Sequence, residues 1–166
     1  MMKIEPAAAF DAVVDSDTRV LLLGSLPGCV SLAERRYYAH PQNQFWRLMS
    51  PVAGINLWRL DYNARLAALR TTGIGLWDVI ATAVRSGSLD QAIRAPQIRD
   101  LGALISTLPK LRALAFNGGT ALRLGLKQLG GGVTLPVIAL PSSSAAHTVG
   151  IGAKQPEWDR LRAYLT

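Results

Sequence analysis

The side chains able to do chemistry fall in four short stretches: Gly24-Ser25-Leu26-Pro27-Gly28, Asn43 with Phe45, Asn117, and Ser142-Ser143-Ser144 with His147. Their types point to recognition rather than to strong acid–base catalysis. An amide such as Asn43 or Asn117 offers both a donor and an acceptor, which suits the edge of a nucleobase; either can equally cap a local turn. Phe45 and Trp46 are adjacent, so on a helix one faces the core and the other faces outward or into a cleft. Beside a basic cleft such a ring stacks a base, and elsewhere it packs. A run of serines between a strand and a helix supplies hydroxyls and amides to a phosphate. With His147 the run also suggests a serine hydrolase, yet the GxSxG elbow is missing and no acidic partner for the histidine is evident. Asp78 is the one acid at a strand end, either a water activator or half of a structural salt bridge, the latter being the plainer reading. Gly24 to Gly28 form neither GxGxxG nor a Walker loop, so a nucleotide cofactor is weakly supported and the stretch alone reads as a strand-exit turn. His40 and His147 are the only histidines and Cys29 the only cysteine, which excludes His-rich and Cys-rich metal sites and an intrachain disulfide.

These residues need strands to carry them. Val20-Leu21-Leu22-Leu23 has the length and apolarity of a strand buried on both faces. Ile74 to Ile80, Leu114 to Phe116 and Pro136 to Leu140 read as three more. Helices are expected over residues 6–14, over Phe45 to Ala53 with Pro51 ending or kinking it, after Asp61 or Asn63 as far as Gly73, over Ile98 to Leu108, Thr120 to Leu129 and Gln155 to Leu165. Ser86 to Ala95 reads as a polar connector. Strand and helix alternate four times, which predicts an α/β fold: a three-layer α/β/α sandwich around a four-stranded parallel sheet, with residues 1–166 forming one domain. In such a sheet every strand ends on one edge, so loops far apart in sequence converge on one cleft.

The totals fit this architecture. Among 166 residues, 49% are apolar and 17% charged, the balance of a packed globular chain rather than a disordered one. No apolar run reaches membrane-spanning length. Glu5 and Asp11 interrupt the only N-terminal apolar stretch, so a secretion signal is not expected and the cytoplasm is the default location. The net charge is +7, and only four of the 18 basic side chains are lysines. Arginine forks match phosphates, so a polyanionic partner and an arginine-rich solvated surface both fit the charge.

Seven segments, in order, are together specific: GSLPG at 24–28, SL at 31–32, YYAHPQNQFW at 37–46, LWDV at 76–79, RSGSLDQAI at 85–93, FNG at 116–118 and LPSSSAAH at 140–147. In these segments the chain resembles the uracil-DNA glycosylase superfamily, most closely its hypoxanthine-DNA glycosylase (DNA-deoxyinosine glycosylase) branch, often called family 6. The resemblance covers about Val20 to His147. It implies hydrolysis of the N-glycosidic bond of a deaminated base, hypoxanthine or uracil, in DNA by base flipping, with no metal and no cofactor, by an enzyme acting as a monomer and associated with the nucleoid when at work. Residue by residue it implies that Gly24, Ser25, Leu26, Pro27 and Gly28 line the base pocket, that Phe45 stacks on the flipped base and that Asn117 contacts it. It further implies that Asn43 is the catalytic residue, and that Ser142, Ser143 and Ser144, with His147 beside them, grip the phosphate.

Two departures matter. The mismatch-specific relatives carry a catalytic asparagine at the third position of GINPG, where this chain has Leu26, so the amide must come from elsewhere and Asn43 is the candidate. Relatives fill the gap left by the flipped base with Arg or Leu; the aligned positions here are Ser144 and Ala146, leaving His147 or Val149-Gly150-Ile151 to wedge. No lysine lies in these segments, so a Schiff-base lyase step is not expected. Two other classes compete: a non-catalytic nucleic-acid or nucleotide-binding α/β module, which keeps the base attached, and a serine esterase, which depends on the serine run.

Overall fold

The computed structural model describes residues 7–147 and 149–166. Four strands form the central sheet: β2 (Val20–Gly24), β3 (Ile74–Asp78), β6 (Ala113–Asn117) and β7 (Val137–Leu140), in the order β3-β2-β6-β7, all parallel. β2 and β6 are buried at every residue, as their unbroken apolar runs require of inner parallel strands. Alternate side chains leave opposite faces. Val20 and Leu22 pack beneath α2 (Phe45–Ala53), α3 (Tyr62–Thr72) and α6 (Ile151–Asp159). Leu21 and Leu23 pack beneath α4 (Leu101–Ile105) and α5 (Gly119–Leu129). The α/β sandwich around four parallel strands is therefore present as expected.

Local signals explain most boundaries. Asp61 caps α3 by accepting a hydrogen bond from the Ala64 amide at 2.9 Å, and Gly73 ends it in the left-handed region at φ 90°. Asp100 caps α4 in the same way, so that helix starts later and is shorter than the span from Ile98 to Leu108. Pro51 neither ends nor replaces α2, which runs on to Ala53 and stops at Gly54. Ser50 donates its hydroxyl to the Trp46 carbonyl at 2.7 Å, and Arg162 donates to the Pro51 carbonyl, so the last turn is held from outside.

Three expectations are corrected. The helix over residues 6–14 is absent: residue 6 lies outside the described residues, β1 (Ala7–Ala8) is a strand, and Val13 bridges to Leu76. The strand expected over Ile74 to Ile80 divides at Val79, because the Val79 and Ile80 amides donate to the Gly24 and Ser25 carbonyls and turn the chain out of the parallel sheet. It continues as β4 (Ile80–Arg85), and the polar connector after it contains the start of β5 (Ile93–Ile98). β1, β4 and β5 make a small antiparallel sheet in the order β1-β4-β5. Ile80 and Ala83 bury against Leu26 there, which is what draws the chain across. A short helix, α1 (Cys29–Glu34), also follows the first loop.

α5 lies close against the sheet at Gly125, where an added Cβ would clash with the Phe116 ring. Gly125→Val is expected to destabilise the fold by about 1–3 kcal/mol through overpacking, read as a fall in the thermal or urea midpoint.

Candidate active site

At the carboxyl edge of the parallel sheet lies a cavity of about 430 Å³. Its walls come from the exits of all four strands: Gly24 to Ser31 after β2, Asp78 at the end of β3, Asn117 at the end of β6, and Ser142 to His147 after β7. Tyr37, Tyr38, His40 and Asn43 close one side, and Ser88 to Gln91, from the loop between β4 and β5, close another. Of the expected site residues, all except Phe45 reach this one cavity.

Asn43 stands two residues before α2. Its Oδ1 accepts a hydrogen bond from the Phe45 amide at 2.9 Å, so the capping role is real. That bond also fixes which way the amide points, since the reverse placement would set one N–H against another. The Nδ2 group has no partner among the described residues, and it stands in the cavity wall as a free donor pair.

Asn117 and Ser143 lock together where β6 and β7 end. The Asn117 Nδ2 donates to Ser143 Oγ at 2.9 Å, and the Ser143 amide donates to Asn117 Oδ1 at 2.9 Å. The Ser143 carbonyl accepts from the Gln44 amide at 2.9 Å, which ties the Asn43 loop to the serine loop. Ser143 is only 1% exposed, so its polar groups serve this junction. Ser142 and Ser144 accept at their hydroxyl oxygens from the Ser144 and Ala146 amides, at 3.1 and 3.2 Å, and keep their protons for an outside acceptor. Beneath the loop, the buried Lys154 donates from Nζ to the Ser142 carbonyl at 2.6 Å and the His147 carbonyl at 3.2 Å. Burial holds its pKa below the usual lysine value. Among the described residues no serine hydroxyl bonds a histidine ring, so the serine-hydrolase arrangement is absent.

Phe45 is fully buried and does not line the cavity. Tyr38 covers it: the two rings stack with centroids 3.8 Å apart and planes inclined by 15°. The ring that faces the cavity is therefore Tyr38, held in the left-handed region at φ 54°, with its hydroxyl accepting from Asn117 Nδ2 at 3.3 Å. Burial and the nearby Asp78 carboxyl raise its pKa above that of an ordinary phenol.

Asp78 is buried and has no ion pair among the described residues, which removes the structural salt-bridge reading. Burial pushes its pKa up to about 7, against the pull of Arg99 and Arg85 and with a push from Asp90. Asp90 is also raised by burial, although Ser25 donates to its Oδ1 at 2.7 Å. Gly24, beside Asp78 in the sheet, has to be glycine: a Cβ would lie 2.8 Å from Asp78 Oδ1 and 3.2 Å from the Tyr38 hydroxyl. The first loop is pinned by Arg85, which donates to the Leu26 and Pro27 carbonyls. Cys29 donates its amide to Ser88 Oγ at 2.9 Å, joining that loop to the wall from the small sheet.

Tyr38 and Asp90, which line the cavity, and Lys154, which holds the serine loop, are residues that the motifs did not single out. Tyr38 and Asp90 lie inside the segments YYAHPQNQFW and RSGSLDQAI, where order along the chain does not say which side chain turns inward. Lys154 lies in a helix with no marked apolar face and carries no signal at all.

Comparisons with known proteins bear on the family and the fold. The model of the Uracil DNA glycosylase superfamily matches residues 10–165. A Hypoxanthine DNA glycosylase of Methanosarcina acetivorans is 39% identical over 152 residues, covering 92% of this chain and 95% of the relative. One of Methanosarcina barkeri is 42% identical over 109 residues, covering 66% of this chain and 69% of its own. A solution NMR structure from Methanosarcina acetivorans, provisionally named a uracil DNA glycosylase, superimposes with a TM-score of 0.86 at 37% identity, over 97% of this chain and 99% of that one.

Two outcomes follow from the site itself. Asn117→Ala strands the buried Ser143 amide and hydroxyl, and is expected to cost about 1–3 kcal/mol of stability, measured by chemical denaturation. Asp78 titrates near pH 7 when folded but near the ordinary 3.8 when unfolded, so the folded state holds the extra proton. Its contribution to stability is full at low pH and is lost as the pH climbs toward and through 7. Asp78→Asn should remove this dependence and gain on the wild type by on the order of 4 kcal/mol between pH 4 and 8, measured by urea denaturation.

Proposed function

The chain belongs to the uracil DNA glycosylase superfamily, and on that footing we propose that it is a monofunctional DNA glycosylase that removes hypoxanthine from DNA. The observation that carries the reading is Asn43, an amide whose oxygen is committed to the Phe45 amide and whose Nδ2 has no partner among the described residues, on the wall of a cavity with room for a nucleobase. The curated relatives' names supply the base: both are called hypoxanthine DNA glycosylases. Uracil has the same lactam edge and is the second base this cavity suits.

A base inside a duplex cannot reach the cavity, so the nucleotide is extruded first. Ser142 and Ser144 hydroxyls, on the loop pinned by Asn117 and Lys154, take the flanking phosphate. His147, exposed at the end of that loop, lies where the duplex would be wedged. The base stacks on Tyr38, with Phe45 bracing the tyrosine from behind. The C1′–N9 bond then breaks with its electron pair passing to the base, leaving an oxocarbenium-like sugar. Water bonds to C1′, a water proton ends on the base, and an abasic site remains. Asn43 Nδ2 stabilises the negative charge gathering on the leaving base, which is oxyanion-hole chemistry applied to a purine. One chain supplies every wall of the cavity, consistent with action as a monomer.

An oligonucleotide with a single deoxyinosine, incubated with the protein and then with alkali, should be cut at that position. Binding without alkali-labile scission would favour the non-catalytic module instead. Asn43→Ala should slow single-turnover base release by at least about 100-fold with little loss of DNA binding; a near-wild-type rate takes Asn43 out of the chemistry. Tyr38→Ala should weaken capture of the flipped base by about 1–3 kcal/mol, seen as weaker binding to deoxyinosine DNA over undamaged DNA.

A further inference from the structure

The chemistry above makes no use of Asp78. This residue closes β3 opposite Gly24 and lines the cavity while only 3% exposed. Its Oδ1 occupies the space beside Gly24 that a Cβ would need. Its Oδ2 is buried with no hydrogen-bond partner among the described residues. A side chain that borders the cavity, almost wholly buried and carrying an oxygen without a partner, calls for a group to complete it.

The arginines that face it spend their terminal nitrogens on main-chain carbonyls, and the Nε of each is buried without a partner among the described residues. Arg99, between β5 and α4, donates to the Phe10 carbonyl at 2.6 Å and lies over the Trp77 ring. Arg85, ending β4, is held on the Leu26 and Pro27 carbonyls. Asp90, from the loop between β4 and β5, adds a like charge and holds the Ser25 hydroxyl. Tyr37 and Tyr38 approach from the segment between α1 and α2. An ionised Asp78 would be a buried charge with no ion-pair partner, and burial favours the neutral acid, with a pKa of about 7.

We propose that Asp78 works as a neutral carboxylic acid, donating its O–H to the lactam oxygen of the seated base and accepting the lactam N–H on its other oxygen. This rests on the reading of the cavity as the seat of hypoxanthine. Hypoxanthine and uracil each set an N–H beside a C=O, and a protonated carboxyl sets an acceptor beside a donor, so two hydrogen bonds close a ring. A carboxylate offers two acceptors and would meet the lactam oxygen with repulsion. The O–H also stabilises the negative charge that spreads onto that oxygen as the C1′–N9 bond breaks. The proton stays on Asp78 throughout, and the base takes its final proton from water.

The test is single-turnover release from deoxyinosine DNA at saturating protein between pH 6 and 8. The wild-type rate should fall by about 10-fold across that range as the acid ionises. Asp78→Asn keeps a donor and an acceptor at every pH, and should hold a rate within about 5-fold of the wild-type maximum with a flat profile. Asp78→Ala should be at least about 10-fold slower at every pH. A wild-type rate that rises through pH 7, a folded Asp78→Asn that is inactive, or one that keeps the wild-type profile overturns the assignment of Asp78 alone. The wild-type profile decides by itself should Asp78→Asn fail to fold. No base release by the wild type from deoxyinosine or deoxyuridine DNA overturns the glycosylase reading beneath it.

Discussion

The buried pairing of Asn117 with Ser143 is what the rest of the site depends on. Two hydrogen bonds between them, and a third from Gln44 to the Ser143 carbonyl, join β6, the loop after β7 and the loop before α2 at one point. Each of these groups is out of water, so leaving any one unpaired costs more than an ordinary surface bond returns. The catalytic candidate and the phosphate-binding candidates are therefore one mechanical unit. Asn117, which the resemblance places against the base, acts in this structure first as the rivet of that unit. Lys154 supports it from below by holding both ends of the serine loop through their carbonyls.

Charge is handled in the same manner. The arginine excess reads from sequence as a phosphate-binding surface, yet many of these guanidiniums hold main-chain carbonyls. Arg19 reaches Leu165, Arg65 reaches Leu57 and Trp58, Arg85 the first loop, Arg99 Phe10, and Arg162 Pro51. A rigid five-donor fork suits that task because it satisfies carbonyls that helix ends and turns leave open. Part of the positive charge thus holds loops in place before any of it meets DNA. Inside the cavity the arrangement is the reverse: amides, hydroxyls and two acids shifted toward their neutral forms. Fixed dipoles of this kind cost nothing to reorganise when charge develops on a leaving group.

Where the signal was local, the sequence was legible. The inner strands declare themselves by apolar runs, and α3 by Asp61 and Gly73 at its ends. The convergence of strand exits follows from parallel topology alone, which is why Gly24 to Gly28, Asn43, Asn117 and the serines meet as expected. What was not legible depends on contacts between distant segments. β4 leaves the sheet because Ile80 and Ala83 find Leu26. Phe45 and Tyr38 are both aromatic and seven residues apart, and nothing along the chain says which ring lies in front. The answer comes from Tyr38 adopting a left-handed backbone, an unusual conformation for a bulky residue. The salt bridge expected of Asp78 is missing for a related reason: Arg85 and Arg99, whose charges act on it, spend their terminal nitrogens on main-chain carbonyls.

Leu26 stands where the resemblance to the mismatch-specific glycosylases would place an asparagine. An amide at the first loop would sit on the wall occupied here by an apolar residue that anchors the small sheet. Asn43 lines the same cavity, with its oxygen held by the Phe45 amide at the start of α2. Such an amide cannot accept a proton from water and has no carboxylate behind it to do so. It can only offer hydrogen bonds to electron density leaving the sugar. On the proposed reading, a site built this way gains rate by stabilising the departing base more than by sharpening the nucleophile. On that reading it favours bases that carry negative charge well, which is a property of the lactam rather than of the ring size.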